Sequence, residues 1–281
     1  MKKTIVFILT SLFLFASCAN AEKKEMKSAD ILKLIKKGKP VQIVDKIILD
    51  DLDFSQANEP FLADAGIIQT EVKSNVFFSN CVFMGKVTAA GTRKQADVQT
   101  VFRNNVVFLD CDFRQDVDFR GAIVFGNVNF SRSTFRKPAT FNNISVWSKS
   151  SYFNEVTAEQ AFTMVYASFF GNLSLLDAKF QKKANFQEIK VNGKLMVNNT
   201  VFSENADFSL INVLDRALFN YVVFEKNATF LQANFSKTAE FMNAAFNGTA
   251  DFEDAYFAAP LKKDGLKPEN IDFSKAFFVR K

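Results

Sequence analysis

Asp110, Asp112, Asp116 and Asp118 cluster within nine residues of the chain. In that density side chains could hold a divalent cation, or divide acid and base work between a pair. The residues between them argue otherwise. Cys111, Phe113, Val117 and Phe119 alternate with the acids in the manner of short strands, so Asp112 and Asp118 stand at outward positions on two different strands rather than converging. The expectation is a solvated polar surface. His is absent from all 281 residues, which removes the commonest general acid and base, the commonest metal ligand and every Ser-His or Cys-His pairing. Neither a phosphate-cradling glycine loop nor a metal-binding spacing accompanies the three cysteines, Cys18, Cys81 and Cys111. No cofactor and no catalytic residue is expected.

The elements that carry these residues follow a longer period. Between Phe108 and Phe257 an apolar residue, usually Phe, returns at alternating steps of five and six residues. The unbroken part reads Phe180, Phe186, Val191, Val197, Phe202, Phe208, Val213, Phe219, Phe224, Phe230, Phe235, Phe241, Phe246, Phe252, Phe257. Two residues before each of them stands a small or β-branched residue, as in Ala184-Asn185-Phe186 and Ala206-Asp207-Phe208. Alternate strand residues share a face, so each short segment sends a small and a large side chain inward and exposes the residue between. A period of 3.6 or 2 would mark a helix or a lone strand, whereas a longer fixed period marks stacked units that bury a core only together.

This unit of a small residue, a polar residue, a central Phe and two more resembles the pentapeptide-repeat family. The resemblance covers residues 102–257 well and 41–88 loosely, and implies an all-β fold, a right-handed four-sided parallel β-helix. It departs from strict fives by adding a residue at every second corner, as in the Phe-rich branch of such repeats. Four sides of five, six, five and six residues make a coil of 22, and positions 22 apart do match in kind. Phe180, Phe202, Phe224 and Phe246 form one ladder, Phe186, Phe208, Phe230 and Phe252 another, while Val191 with Val213 and Leu175 with Val197 mark two sides of smaller residues.

Residues 1–17 read as an export signal: a basic start at Met1-Lys2-Lys3, an apolar stretch from Ile5 to Phe15, and a small-residue site. Leu14-Phe15-Ala16-Ser17-Cys18 resembles a bacterial lipobox, which implies lipidation of Cys18; ordinary cleavage after Ala19-Asn20-Ala21 is the alternative. A lipidated Cys18 would anchor the chain in the cell envelope as a lipoprotein of the outer membrane. Residues 18–27 are expected to be a tether and 28–40 a capping helix, with Ser28 as N-cap and Gly38 as stop. The solenoid then fills 41–257, interrupted by a loop over 88–100, and 258–281 form a C-terminal cap.

A neutral solenoid fits neither a DNA mimic nor a nucleic-acid binder. Lys and Arg nearly balance Asp and Glu between 102 and 257, and the whole chain is formally +5. Inhibition of topoisomerases by some members of the family needs a strongly negative rod. A carbohydrate-active enzyme built on a β-helix is a second alternative that no residue specifies. What is left is a non-catalytic scaffold or binding module with an unidentified protein or glycan partner. Candidate contacts are Arg93 and Lys94 on the loop and Tyr221 and Tyr256 on the surface; Trp147, six residues from Phe141 and Phe153, is expected to point inward, and Tyr152 and Tyr166 to lie on or beside strands. Cys81 and Cys111 are 30 apart, one coil plus the loop, and are expected to stack in consecutive coils either as buried thiols or as a disulfide.

Overall fold

The computed structural model describes residues 23–63, 66–93, 96–266 and 271–278. Its strands assemble into four parallel-stacked sheets of nine, ten, ten and twelve strands, one for each side of a four-sided solenoid. The first coil runs through the four sides in chain order as Val41–Val44, Lys46–Ile48, Leu52–Asp53 and Phe61–Leu62. Successive coils pair in register at 22 residues over most of the length, for example Val106 with Val128 and Phe180 with Phe202. The expected all-β parallel solenoid is what forms, with one short helix, Ser28–Lys36, near the N-terminus.

The core is a set of ring stacks. Phe180, Phe202, Phe224 and Phe246 stand one above another on the second side, with centroid spacings of 5.1, 5.0 and 4.9 Å. Phe186, Phe208, Phe230 and Phe252 do the same on the third side at 4.9, 5.2 and 4.6 Å. The two stacks meet edge to face, as at Phe202 and Phe208, 5.6 Å apart and at 89°. Offset stacking along the axis and T-shaped contact across it both satisfy the ring quadrupole.

The two kinds of corner solve the turn differently. Five-residue corners place one residue in the left-handed region: Arg132, Asn143, Glu155, Tyr166, Asp177 and so on to Asp254, all with φ between 53 and 59°. In most of these corners the N–H of the following residue donates to the carbonyl three back, as Ser133 to Phe130 and Ala233 to Phe230, the pattern of a type II turn. The six-residue corners have one residue more over which to spread the bend, and among the described residues no side-chain-bearing residue there has positive φ. Asn side chains serve both: Asn105 Oδ1 accepts from the N–H of Asn127 and Asn198 Oδ1 from that of Asn220, one coil on, so corner amides that no strand pairs still find an acceptor.

Departures from 22 are expelled at corners. Val82 pairs with Asp112 at a separation of 30, and the extra residues make a hairpin rather than a loop: Ala90–Arg93 runs antiparallel to the start of Ala96–Phe102. One coil has 23 residues, since Val124 pairs with Val146 but Asn129 with Tyr152. The extra residue lies in the Trp147-Ser148-Lys149 corner, so the inward position is Val146 and Trp147 is turned out, 49% exposed. That corrects the inward placement expected for Trp147: its equal spacing from Phe141 and Phe153 arose from the extra residue.

The ends also differ from expectation. Part of the expected tether, Lys24–Met26, is a strand paired with Lys46–Ile48. The helix N-cap is Lys27, and Ser28 instead donates its N–H to the Asp50 carboxylate at 2.7 Å. The tail continues the solenoid as Ile271–Asp272 and Phe277–Phe278, with Phe273 stacked on Phe252 and Phe278 on Phe257.

One exchange of size tests this packing. On the second side Ala158 interrupts the stack between Phe135 and Phe180. On the third side Phe162 occupies a small-residue slot between Ala139 and Ala184, and its ring fills the gap, 5.9 Å from Phe135 and 5.0 Å from Phe180. Phe162→Ala alone should cost about 3–5 kcal/mol through the cavity it leaves, and Ala158→Phe alone about 1–3 kcal/mol through overpacking. Chemical denaturation of the double variant should show most of that loss recovered; additive losses would contradict the compensation.

Candidate functional site

With the interior filled by stacked rings, chemistry is confined to the corners and outward strand positions. The aspartates that open the sequence reading lie on different sides: Asp112 on Asp112–Phe113 of the second side, Asp118 on Val117–Asp118 of the third. Each is engaged by arginine. Asp112 pairs with Arg114 at 2.8 Å and Arg136 at 2.7 Å, Asp118 with Arg120 at 2.7 Å, and Asp110 with Arg132 of the next coil at 2.7 Å. Hydrogen bonds to these carboxylates hold the Arg120, Arg132 and Arg136 guanidinium groups above their ordinary range. Asp116 faces Lys86 at 3.8 Å. Among the described residues no three His, Cys, Asp or Glu side chains gather as metal ligands.

Glu240 is the most buried of the paired acids. It replaces Leu218 of the coil before at an outward position of the first side and is 7% exposed. Burial pushes its carboxyl up, but hydrogen bonds from Lys262 at 2.9 Å and Asn220 at 3.1 Å outweigh burial and hold it below the ordinary carboxylate range. The pair ties the last coils together.

Cys81 and Cys111 follow the expectation for stacking: Val82 pairs with Asp112, and the Cys81 carbonyl accepts from the Asp112 N–H at 2.9 Å. Both are buried thiols, each donating to the carbonyl two residues before it, Ser79 and Leu109, at 3.3 Å. Burial pushes the Cys111 thiol up, so it stays protonated and a poor nucleophile.

The hairpin overhangs an open cleft of about 400 Å³ lined by Gly91, Asp97, Gln99, Arg120 and Asn143. Its strongest donor, Arg120, is already held by Asp118, and Gln99 donates to the Gly121 carbonyl at 2.7 Å. Arg93, expected to be displayed, instead points back to the first coils, donating to the Asn58 carbonyl at 3.0 Å and facing Glu59 at 3.8 Å. Lys94 and Cys18 lie outside the described residues.

Tyr221 and Tyr256 are surface aromatics as expected, 57 and 43% exposed. Tyr166 joins them at 54% because it occupies a left-handed corner position, φ 59°, that faces solvent. Sequence reasoning missed two others. Phe125 and Phe170 are exposed on either side of Trp147, with which they stack. Their spacing from Trp147 is one coil each, and each directly follows an inward residue, which is the signal that could have found them.

Among known families, residues 98–145 match the model described as pentapeptide repeats (9 copies). No curated protein and no solved structure matches the chain.

The Glu240 pairing predicts a pH dependence. Its folded carboxyl lies below its unfolded value, so its contribution is fully present above the unfolded value of about 4.3 and is lost as pH falls through the folded one. Thermal unfolding of the wild-type chain and Glu240→Gln should differ most above about pH 5 and converge in acid; a gap that did not change with pH would contradict the ion pair.

Proposed function

We propose that this solenoid, whose central segment carries pentapeptide repeats, is a non-catalytic scaffold or binding module anchored in the cell envelope through lipid on Cys18. The observation that carries the non-catalytic reading is the fate of the polar side chains. Across the described coils, the acids best placed to do chemistry are spent on cross-coil ion pairs, Asp110 with Arg132, Asp112 with Arg136, Asp215 with Lys237 and Glu240 with Lys262. Catalytic carboxylates need the opposite, two groups brought together with their pKa values driven apart.

The same pairings speak against a DNA mimic. An acidic rod acts through an uncompensated negative field, and here 35 Lys and Arg outnumber 30 Asp and Glu in a chain of formal charge +5. The anchoring part of the reading rests on Leu14-Phe15-Ala16-Ser17-Cys18 after a short apolar stretch. Two or more acyl chains suffice for stable attachment. A solenoid so tethered offers long, regular faces to a protein or glycan partner, which is how stacked repeats provide binding surface.

Cys18→Ala tests the anchor. In fractionated cells the wild-type chain should remain with the membranes through a high-salt wash, and the variant should move to the soluble fraction. A variant that stayed with the membranes as firmly as the wild type would refute anchoring at Cys18.

A further inference from the structure

The edge at which the fourth side turns into the first differs from the other three. Phe125, Trp147 and Phe170 follow the inward residues Val124, Val146 and Phe169 of that side, one coil apart, and are 43, 49 and 42% exposed. They stack on one another, Phe125 to Trp147 at 6.3 Å and 25°, Trp147 to Phe170 at 3.6 Å and 15°. The Arg103 guanidinium lies 5.0 Å over the free face of Phe125. Leu214, two coils beyond Phe170 with the exposed Asn192 at the position between, is 43% exposed. From Phe125 to Phe170 the ring ridge runs roughly 10 Å, at about 4.8 Å per coil.

The geometry narrows what could meet it. Sugar rings pack on open aromatic faces, and here Phe125 and Phe170 cover both faces of Trp147 while Arg103 covers the other face of Phe125, so the stack turns mainly apolar edges outward. A corner between two flat sides is convex, so it offers no groove for a peptide segment. A convex, straight, apolar line suits a plane that yields to it. Charge points the same way. Lys149, Lys194 and Arg216 stand along this edge, and its carboxylates Glu71 and Asp215 are engaged by Arg103 and Lys237. The opposite edge of the same side carries Glu188 and Asp254, with Glu253 paired to Lys275 at 2.6 Å.

We propose that this edge is a membrane-contact ridge that lays the solenoid along an anionic phospholipid bilayer. The ring edges of Phe125, Trp147 and Phe170 enter the headgroup and upper acyl region, where Trp settles by its amphipathic ring and Phe by its apolar one. The flanking cations meet lipid phosphates within a Debye length of the surface. The ridge rests on the envelope-anchored reading for a bilayer within reach, but is built from residues far from Cys18. Lipid at Cys18 would hold the chain to the membrane, and the ridge would set which face turns towards it.

Trp147 is the chain's one tryptophan, so its emission reports on the ridge alone. The full chain is titrated with vesicles of phosphatidylcholine, and with vesicles containing equal parts phosphatidylglycerol, with and without brominated acyl chains. The expected result is a blue shift and bromine quenching with the anionic vesicles, and an apparent lipid affinity that falls about fivefold with each of Lys149→Gln and Lys194→Gln. Emission that stays unshifted and unquenched while the chain floats with the vesicles would overturn the ridge, because attachment would then run through another segment. Failure to float, or an equal response to phosphatidylcholine alone, would overturn it too. Release of Cys18→Ala from cell membranes tests the anchor separately, so either idea can fail without the other.

Discussion

Parallel strands stack at about 4.8 Å, and offset phenyl rings stack at nearly the same distance. The structure depends on that coincidence. A Phe at one inward position of every coil lets backbone hydrogen bonds and ring stacking be satisfied together, as the spacings of 4.9, 5.2 and 4.6 Å from Phe186 to Phe252 show. A coil whose inward residues lost register would break both at once. All other features of the chain can be read as ways of keeping that register.

Residues that do not fit are pushed outward or compensated. The hairpin Ala90–Arg93 and Ala96–Phe102 takes up the surplus between the coils joined at Val82 and Asp112 without disturbing either. The extra residue near Trp147 is absorbed in a corner, and the strands on both sides stay paired. Where Ala158 breaks a stack, Phe162 crosses from the next side to refill it. The outward residues form ladders of their own, with Asn amides bridging corners and ion pairs joining acids to bases one coil away. An exposed stack of Phe125, Trp147 and Phe170 is one more such ladder, made of rings instead of charges.

The four sides, the coil of 22 and the ladders were legible because a long period is over-determined: many residues report the same register. Single insertions were not. Trp147 sits six residues from Phe141 and Phe153, and no pattern within one coil says that five residues and then seven, through Val146, is the arrangement used. The left-handed corner positions were invisible for a related reason. Arg132, Glu155, Tyr166 and Leu210 carry no common side-chain signature, because neighbouring coils impose a backbone conformation that such residues rarely choose alone. The surface aromatics were hidden by parity, since Phe125 and Phe170 look like slightly misplaced core residues until the coil is counted.

The ring stacks, not the outward ladders, are the source of stability, and Phe208 with its neighbour Asp207 separates the two. Phe208 is fully buried between Phe186 and Phe230, whereas Asp207 faces out and accepts a hydrogen bond from the Ser209 N–H at 2.9 Å. Equilibrium unfolding of Phe208→Ala should show a loss of about 3–5 kcal/mol, and Asp207→Ala a loss of about 1 kcal/mol or less. Equal losses from the two substitutions would contradict the claim that the stacked rings hold the coils in register.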